Sequence, residues 1–130
     1  MSYGTTISVE TPFSTTLVRV RKELQDEGFG VLTEINVTAT LATKIDASIE
    51  NYVILGACNP PLAYQALGVD RSIGMLLPCN VVVRSAADDT TIVEILDPQL
   101  MATLSGLDEL RGLADDASAR LGRVLERLQA

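Results

Sequence analysis

The chain has 130 residues, of which 47% are hydrophobic, and its 10 basic and 17 acidic residues give a formal net charge of −7. This length fits a single domain over residues 1–130, and the hydrophobic content is too high for a disordered acidic protein. The negative charge repels phosphate backbones, so nucleic acid is not an expected partner. The apolar runs are far shorter than a membrane span, so no membrane association is expected.

The cysteine and histidine content limits the chemistry available to the chain. Cys58 and Cys79 are its only cysteines, and it contains no histidine. The usual general base, the commonest haem ligand and every Cys-His nucleophile pair are therefore missing. The cofactor is unknown, and no haem bound through histidine is expected. An N-terminus without a basic cap before an apolar stretch predicts a cytoplasmic protein with free thiols.

The first part of the chain is predicted to form a strand, a helix and a second strand. Residues 3–9 favour a strand, and Thr11-Pro12 is typical of an N-cap followed by proline at the first helical position. Gly28 ends this helix, and residues 31–37 favour a strand. The buried stripe of the helix is predicted at Phe13, Leu17, Val20 and Leu24. One face of the second strand is predicted to carry Val31, Ile35 and Val37.

The middle of the chain contains its most apolar run. A short helical turn capped by Thr40 is predicted first. Residues 52–58 are continuously apolar and favour β-structure, which predicts a central strand buried on both faces. Asn59 and Pro60 then begin a helix, which is predicted to end at Gly68.

The last part of the chain predicts a hairpin followed by a helix. Residues 75–83 favour a strand, in which Pro78 indicates an edge position or a bulge beside Cys79. Residues 91–96 return as its antiparallel partner. Residues 107–128 carry apolar side chains at helical spacing. The element order predicts an α+β fold, with helices packed over a single-layer, mainly antiparallel sheet.

Each cysteine precedes an asparagine at the end or start of a predicted strand. If Asn59 caps a helix, the helix N-terminus favours a thiolate at Cys58, although Pro60 and Pro61 remove two amide donors. The alternative is that Cys58 is simply a small apolar residue at the end of a buried strand. The sequence leaves both interpretations open.

The second Cys-Asn pair offers a similar choice. A bulge would direct the sulfur of Cys79 into a cleft, whereas regular alternation would bury it, and core packing is favoured. Asn59 and Asn80 are expected to serve the backbone first and a ligand second. Glu34 is a further candidate ligand-binding residue, although most carboxylates in such positions are simply solvated.

A metal site has only weak support from the spacing of the cysteines. The separation between Cys58 and Cys79 matches no local metal-binding motif, and no histidine is available to complete a zinc site. A dimer would pool four thiolates across its axis, enough for zinc or an iron-sulfur cluster. Cys58 and Cys79 are therefore the candidate ligands of any soft metal.

Three motifs occur in order along the chain: GFGVLTEI at 28–35, ILGACNP at 54–60 and LLPCNVVV at 76–83. In these motifs, and in Asp97-Pro98 before the terminal helix, the chain resembles the domain of unknown function 302 family. The resemblance implies a TATA-box-binding-protein-like α+β fold that forms homodimers, without an agreed reaction. Some relatives are linked to sulfur or haem chemistry, but the lack of histidine argues against a haem role here. Asn36 stands where an aspartate is expected in many relatives, which argues against a carboxylate role at that position.

The leading hypothesis is a cytoplasmic homodimer that binds a small ligand or a soft metal. Its candidate ligand-binding residues are Cys58, Asn59, Cys79, Asn80 and Glu34. The first alternative is a thiol-dependent redox or sulfur-handling enzyme, with Cys58 as nucleophile and Cys79 as resolving cysteine, which requires a lowered thiol pKa. The second alternative is a structural protein-interaction module with an exposed apolar patch.

Overall fold

The structure is a computed structural model that describes residues 3–130. The strands are β1 (Gly4–Val9), β2 (Gly30–Asn36), β3 (Tyr52–Cys58), β4 (Cys79–Ala87) and β5 (Thr90–Leu96). The α-helices are α1 (Phe13–Asp26), α2 (Val37–Ile45), α3 (Pro60–Val69), α4 (Gln99–Ser105) and α5 (Arg111–Gln129). Short 3-10 segments at Arg71–Leu76 and Asp108–Leu110 come before β4 and α5.

The strands form one antiparallel sheet in the order β1-β5-β4-β3-β2, which confirms the predicted α+β class. Strand alternation divides the side chains between two faces of this sheet. The buried face is crossed by a row of opposed residues, namely Val53, Val83, Val93 and Ile7. The opposite face, called the open face below, is crossed by the row Ile35, Ile54, Val82, Glu94 and Thr6.

Two helices cover the buried face of the sheet. The predicted stripe on α1 packs into the core, with Val20 and Leu24 completely buried. The same core takes Leu121, Val124 and Leu128 from α5. Removing this apolar surface from water stabilises the fold by roughly 25 cal/mol per Å² buried. The core therefore fixes the sheet, α1 and α5 as one unit.

Ion pairs also join α1 to α5. Arg123 and Arg127 of α5 each donate to the Glu27 carboxylate at 2.9 Å, just after the end of α1. These charged hydrogen bonds lower the pKa of Glu27 to about 2. The Glu27 carboxylate therefore stays ionised throughout the neutral and mildly acidic range.

A second apolar cluster lies apart from the main core. It contains one buried residue from each of α3, the two 3-10 segments and α4, namely Ala66, Ile73, Leu110 and Ala102. This cluster holds α3 and α4 together at the end of the sheet where β3 stops and β4 starts. It thereby positions the walls of the pocket described below.

The first two helices begin at other residues than predicted. Pro12, rather than Thr11, occupies the N-cap position of α1, because its ψ of 155° is still extended. The Thr11 hydroxyl instead lies 2.5 Å from the hydroxyl of Thr16. The cap of α2 is Asn36, whose side chain accepts a backbone N–H of the helix, and the predicted cap at Thr40 is wrong.

The predicted alternation along β2 is wrong after Val31. The pairing with β3 shifts between Val31 and Thr33, which is the signature of a bulge with one extra residue. Ile35 consequently lies on the open face opposite Ile54, whereas Val31 packs against the core. Val37 is not part of the strand but the first residue of α2.

The two apolar strands form, but the second begins at Cys79 rather than at residue 75, because the chain up to Leu76 is a 3-10 segment. The predicted environments of both strands also need correction. β3 pairs with β2 and β4, but only one of its faces is fully buried. The predicted edge position for the strand after Pro78 is wrong, because β4 pairs with both β3 and β5. The irregular backbone predicted here is present as a cis peptide bond between Leu77 and Pro78, just before the first strand residue, Cys79. The hairpin of β4 and β5 is confirmed.

The helices near the C-terminus also differ from the prediction. α3 continues through Gly68 and ends before Asp70, so Gly68 is not its cap. Residues 99–105 form α4, which the sequence analysis does not predict, and Gly106 ends it with a φ of 73°. The chain then passes through a 3-10 segment, so the last helix begins at Arg111 rather than at residue 107.

Candidate functional site

A pocket of about 390 Å³ lies where β3 ends and β4 begins. α3, α4, α5 and the segment between α3 and β4 complete its lining. The lining is mostly apolar, and its largest side chains include Leu62, Met75, Leu77, Leu100, Met101 and Leu104. Pockets of roughly 300–1,000 Å³ with an apolar lining and a few polar groups are typical of small-molecule sites.

Both Cys-Asn pairs contribute to this pocket. Cys58, Asn59, Cys79 and Asn80 all lie in its lining. They come together because β3 and β4 are antiparallel neighbours, with Ala57 directly opposite Cys79. The end of one strand and the start of the other therefore meet at the same edge of the sheet.

Asn59 is the buried polar residue that connects the pocket to α3. Its side chain is only 7% exposed, and its Oδ1 atom accepts a hydrogen bond from the backbone N–H of Leu62 at 3.2 Å. Its backbone carbonyl accepts the N–H of Ala63 at 2.9 Å. The predicted N-cap role of Asn59 is confirmed, and it fixes where α3 starts relative to β3.

The thiol of Cys58 is half-buried at the end of β3. Burial raises its pKa above the ordinary value, because the charged thiolate is poorly solvated there. Of the two interpretations of Cys58, the thiolate favoured by a helix N-terminus is therefore the less supported one. Pro60 and Pro61 also leave the first two helical positions without an N–H that could stabilise a negative charge.

Cys79 is more deeply enclosed than Cys58. Its side chain packs against the main core, and its Sγ atom donates a weak hydrogen bond to the carbonyl oxygen of Leu96 at 3.6 Å. Burial raises the pKa of the thiol to about 12, and the nearby carboxylate of Asp97 acts in the same direction. Cys79 is therefore a neutral group of the pocket at physiological pH.

The two thiols are free, and both residues line the pocket. Cys79 lies on the same face as its partner Ala57, and Cys58 follows Ala57 along the strand. Successive strand residues point to opposite faces, so regular geometry separates the two sulfur atoms rather than pairing them. A disulfide between Cys58 and Cys79 would require the strand ends to move.

Asn80 is exposed at the boundary between this pocket and a second cavity of about 410 Å³. The second cavity lies on the open face and is lined in part by Tyr52 and Glu94. Glu94 accepts hydrogen bonds from Arg84 and Thr6, both at 2.9 Å, and these bonds lower its pKa. The Glu94 carboxylate is therefore already hydrogen-bonded to other residues of the protein.

Glu34, the remaining predicted residue, does not line the apolar pocket. It lies on β2 and forms an ion pair with Arg21 of α1. The structure therefore brings together the four residues of the two Cys-Asn pairs and leaves Glu34 outside.

The residues that α4 brings to the pocket are missing from the predicted site. Leu100, Met101 and Leu104 form one wall, and Asp97 supplies the carboxylate nearest to Cys79. A signal for them exists in the helical spacing of residues 100, 101 and 104 directly after Asp97-Pro98. It is weak because α4 has only seven residues.

Within residues 3–130, no group of three or more Cys, Asp or Glu side chains is gathered as a metal site. The helices of this part of the chain are also too short or too polar to cross a membrane. Cys58 and Cys79 remain the candidate ligands of a soft metal.

Together, the antiparallel sheet, the helices on its buried face and the apolar pocket at its edge define an α+β domain with a cavity of small-molecule size. The sequence matches the family described as Domain of unknown function DUF302 over residues 5–128, and the chain belongs to this family. Its structure is similar to the crystal structure of an uncharacterized conserved protein DUF302 from Bacillus stearothermophilus. The TM-score is 0.90 at 31% identity, and the match covers 99% of this chain and 100% of that chain. No curated protein matches the chain.

Proposed function

We propose that this domain binds a small apolar molecule in the pocket between the two Cys-Asn pairs. The observation that carries the proposal is the pocket itself, with a volume of about 390 Å³ and walls supplied by α3, α4 and both strand ends. Burying an apolar ligand against this lining releases its hydration water and stabilises the complex. Asn59 and Asn80 supply polar groups beside it.

A binding role has better support than thiol catalysis. A nucleophilic cysteine needs a lowered pKa, whereas the pKa values of Cys58 and Cys79 are both raised by burial. The resolving step would also need two sulfur atoms that strand alternation separates. A soft metal would have to displace protons from both buried thiols, so an organic ligand is the favoured occupant.

The proposal includes a homodimer in the cytoplasm, where the two thiols stay reduced. Support for the dimer comes from α2, which is an apolar helix without a buried residue. Exposed apolar side chains lie on α2 and the neighbouring β2, at Leu32, Ile35 and Ile45. A second copy of the chain would cover this surface.

A pocket-filling substitution tests the binding proposal. Ala63 is half-buried on α3 and lines the pocket, so Ala63→Phe places a ring in the space that the ligand needs. The neutral apolar dye Nile red serves as the probe, followed by its fluorescence. We expect Ala63→Phe to weaken dye binding by about tenfold or more, since an occupied pocket loses most of its apolar contact area.

The matched control is Ala119→Phe, which adds the same ring at an exposed position of α5 outside the pocket. Its dye affinity should equal that of the wild type. Thermal unfolding of both variants checks that the fold is retained. Equal dye affinity in wild type and a folded Ala63→Phe would place the dye elsewhere and contradict the proposal.

A further inference from the structure

We propose that this pocket selects apolar ligands by charge: it accepts neutral or cationic molecules, favours an apolar amine whose ammonium group meets Asp97, and rejects carboxylates and other anions. The inference rests on the proposed function, because it specifies the ligand class of the same pocket. It follows from two features of the lining. Its one charged side chain is acidic, and the first-turn backbone amides of α3 and α4 are either absent or already hydrogen-bonded.

The lining contains one acidic residue and no basic one. Asp97 is its carboxylate, and no lysine or arginine lies among the residues that line the pocket. In the part of the chain that the structure describes, one oxygen of Asp97 accepts the N–H of Gln99 at 2.9 Å and the other accepts no hydrogen bond. A ligand cation therefore finds an acceptor here, whereas a ligand anion finds an uncompensated like charge.

The N-terminus of α3 faces the pocket but offers no donor to an anion. Such a terminus usually binds anions through its free N–H groups. Here the first two helical residues, Pro60 and Pro61, have no N–H. The next two amides are occupied, since Leu62 donates to the side chain of Asn59 and Ala63 to its carbonyl.

The N-terminus of α4 is closed in the same way. The amide of Gln99 donates to the Asp97 side chain, and that of Leu100 donates to the Asp97 carbonyl at 3.1 Å. The amide of Met101 donates to the carbonyl of Pro98, also at 3.1 Å. The first turns of α3 and α4 thus present no unused amide. The side chains of Asn59 and Asn80 still carry amide donors, but no cationic group in the lining offsets the charge of an anionic head group.

A series of ligands with one chain length tests the inference: 1-octanol, octylamine and octanoate at pH 7.5, each measured by displacement of Nile red from the full chain. The amine is cationic and the acid anionic at this pH. We expect octylamine to bind about fivefold tighter than octanol, as for an exposed to half-buried ion pair. Octanoate should bind at least about tenfold weaker than octanol, because its carboxylate loses hydration and meets the like charge of Asp97 with no cationic group in the lining to offset it.

Asp97→Asn is the variant that isolates the carboxylate. The amide oxygen of asparagine can still accept the Gln99 N–H, so the start of α4 is retained. We expect the preference for octylamine over octanol, measured as the ratio of their two affinities in the same variant, to disappear. Asp88→Asn, in the exposed turn of the β4 and β5 hairpin, removes the same charge outside the pocket and should keep the preference.

The outcomes separate this inference from the binding proposal. If octanol displaces the dye but octanoate binds as tightly, or if Asp97→Asn keeps the amine preference, charge selection is overturned and the binding proposal stands. If octanol fails to displace the dye from the wild type, the binding proposal fails and the inference falls with it.

Discussion

At the residue scale, the two cysteines show how burial decides the chemistry of a pocket. Cys58 lies next to a helix N-terminus, a position that often lowers a thiol pKa. Burial raises its pKa instead, and the two prolines leave no N–H at the first two helical positions to oppose this shift. For Cys79, burial and the carboxylate of Asp97 both raise the pKa of the thiol. The thiols are therefore polarizable, neutral parts of the lining.

The reactivity of these thiols should follow their raised pKa values. Only the thiolate reacts with iodoacetamide, so the alkylation rate rises with pH until the thiol is deprotonated. We expect both cysteines to react slowly at pH 7, with rates still rising above their ordinary pKa of 9.0. Mass spectrometry of the folded protein over a pH series gives the rate at each site.

In the Cys79→Ser variant Cys58 is the only cysteine, so the alkylation rate measured for that variant belongs to Cys58. Cys58 should react faster than Cys79, which is more deeply enclosed and has a pKa of about 12. A rate at Cys58 that reaches its plateau below pH 8 would contradict the raised pKa. That result would favour the thiol-dependent enzyme.

At the element scale, β3, β4 and the pocket depend on a close packing contact at Gly56. A Cβ atom on Gly56 would collide with the side chain of Thr33 on β2 and would come within 2.9 Å of the Pro78 ring. Proline cannot rotate away, so at least one strand would have to shift. Pro78 belongs to the pocket lining, which links this contact to the site.

We expect Gly56→Ala to destabilise the fold by about 1–3 kcal/mol, the usual cost of forcing extra atoms into a packed region. Urea unfolding measures the free energy. The matched control is Gly122→Ala in the middle of α5, where an added Cβ meets nothing within 4 Å. That substitution should stabilise the fold by up to about 1 kcal/mol, because alanine is the better helix former. A Gly56→Ala protein as stable as wild type would contradict the close contact.

How far the elements can be predicted depends on whether their signals are local. Asn59 followed by two prolines fixes the start of α3, and the apolar run at 52–58 fixes β3, since both signals lie within a few residues. The bulge in β2 depends on the pairing with β3, so alternation within the sequence alone misplaces Ile35. α4 has only seven residues, which is too few for apolar periodicity to predict a helix. It is held by a cluster that includes residues far away in the sequence.

The same limits apply to the candidate site. The sequence leaves open whether the two Cys-Asn pairs meet, because it predicts a strand over residues 75–83 with Cys79 inside it. They meet because β4 begins at Cys79, beside the end of its antiparallel neighbour β3. Met101 and Leu104 reach the pocket only through the position of α4, for which the helical spacing of a seven-residue segment is a weak signal. Glu34 looks like a site acid in the sequence, but it forms an ion pair with Arg21 on the preceding helix, and this contact depends on how α1 packs beside β2.

At the scale of the whole molecule, the open face and α2 present an uncovered apolar surface. Leu32 is 65% exposed, Ile35 50% and Ile45 68%, although they are large apolar side chains. The row that crosses the open face ends in Glu94 and Thr6 at the opposite edge of the sheet. The apolar half of this surface is the region that we expect a second copy to cover.

We expect Ile45→Glu to convert the proposed dimer to a monomer, because it would place a charge in the proposed apolar interface. Size-exclusion chromatography with light scattering gives the mass directly. Val18→Glu on α1 is the control, since Val18 is also 68% exposed and lies on a helix that covers the buried face. A monomeric wild type, or a dimer that Ile45→Glu leaves intact, would contradict this part of the proposal.

The central claim is that the pocket between the Cys-Asn pairs takes a small apolar molecule, and the most direct test is a two-dimensional amide NMR titration with 1-octanol. The account predicts saturable shifts concentrated at residues of the lining such as Asn59, Ala63 and Met101. Shifts confined to the open face at Ile35 and Ile54, or no saturable shift at all, would contradict it.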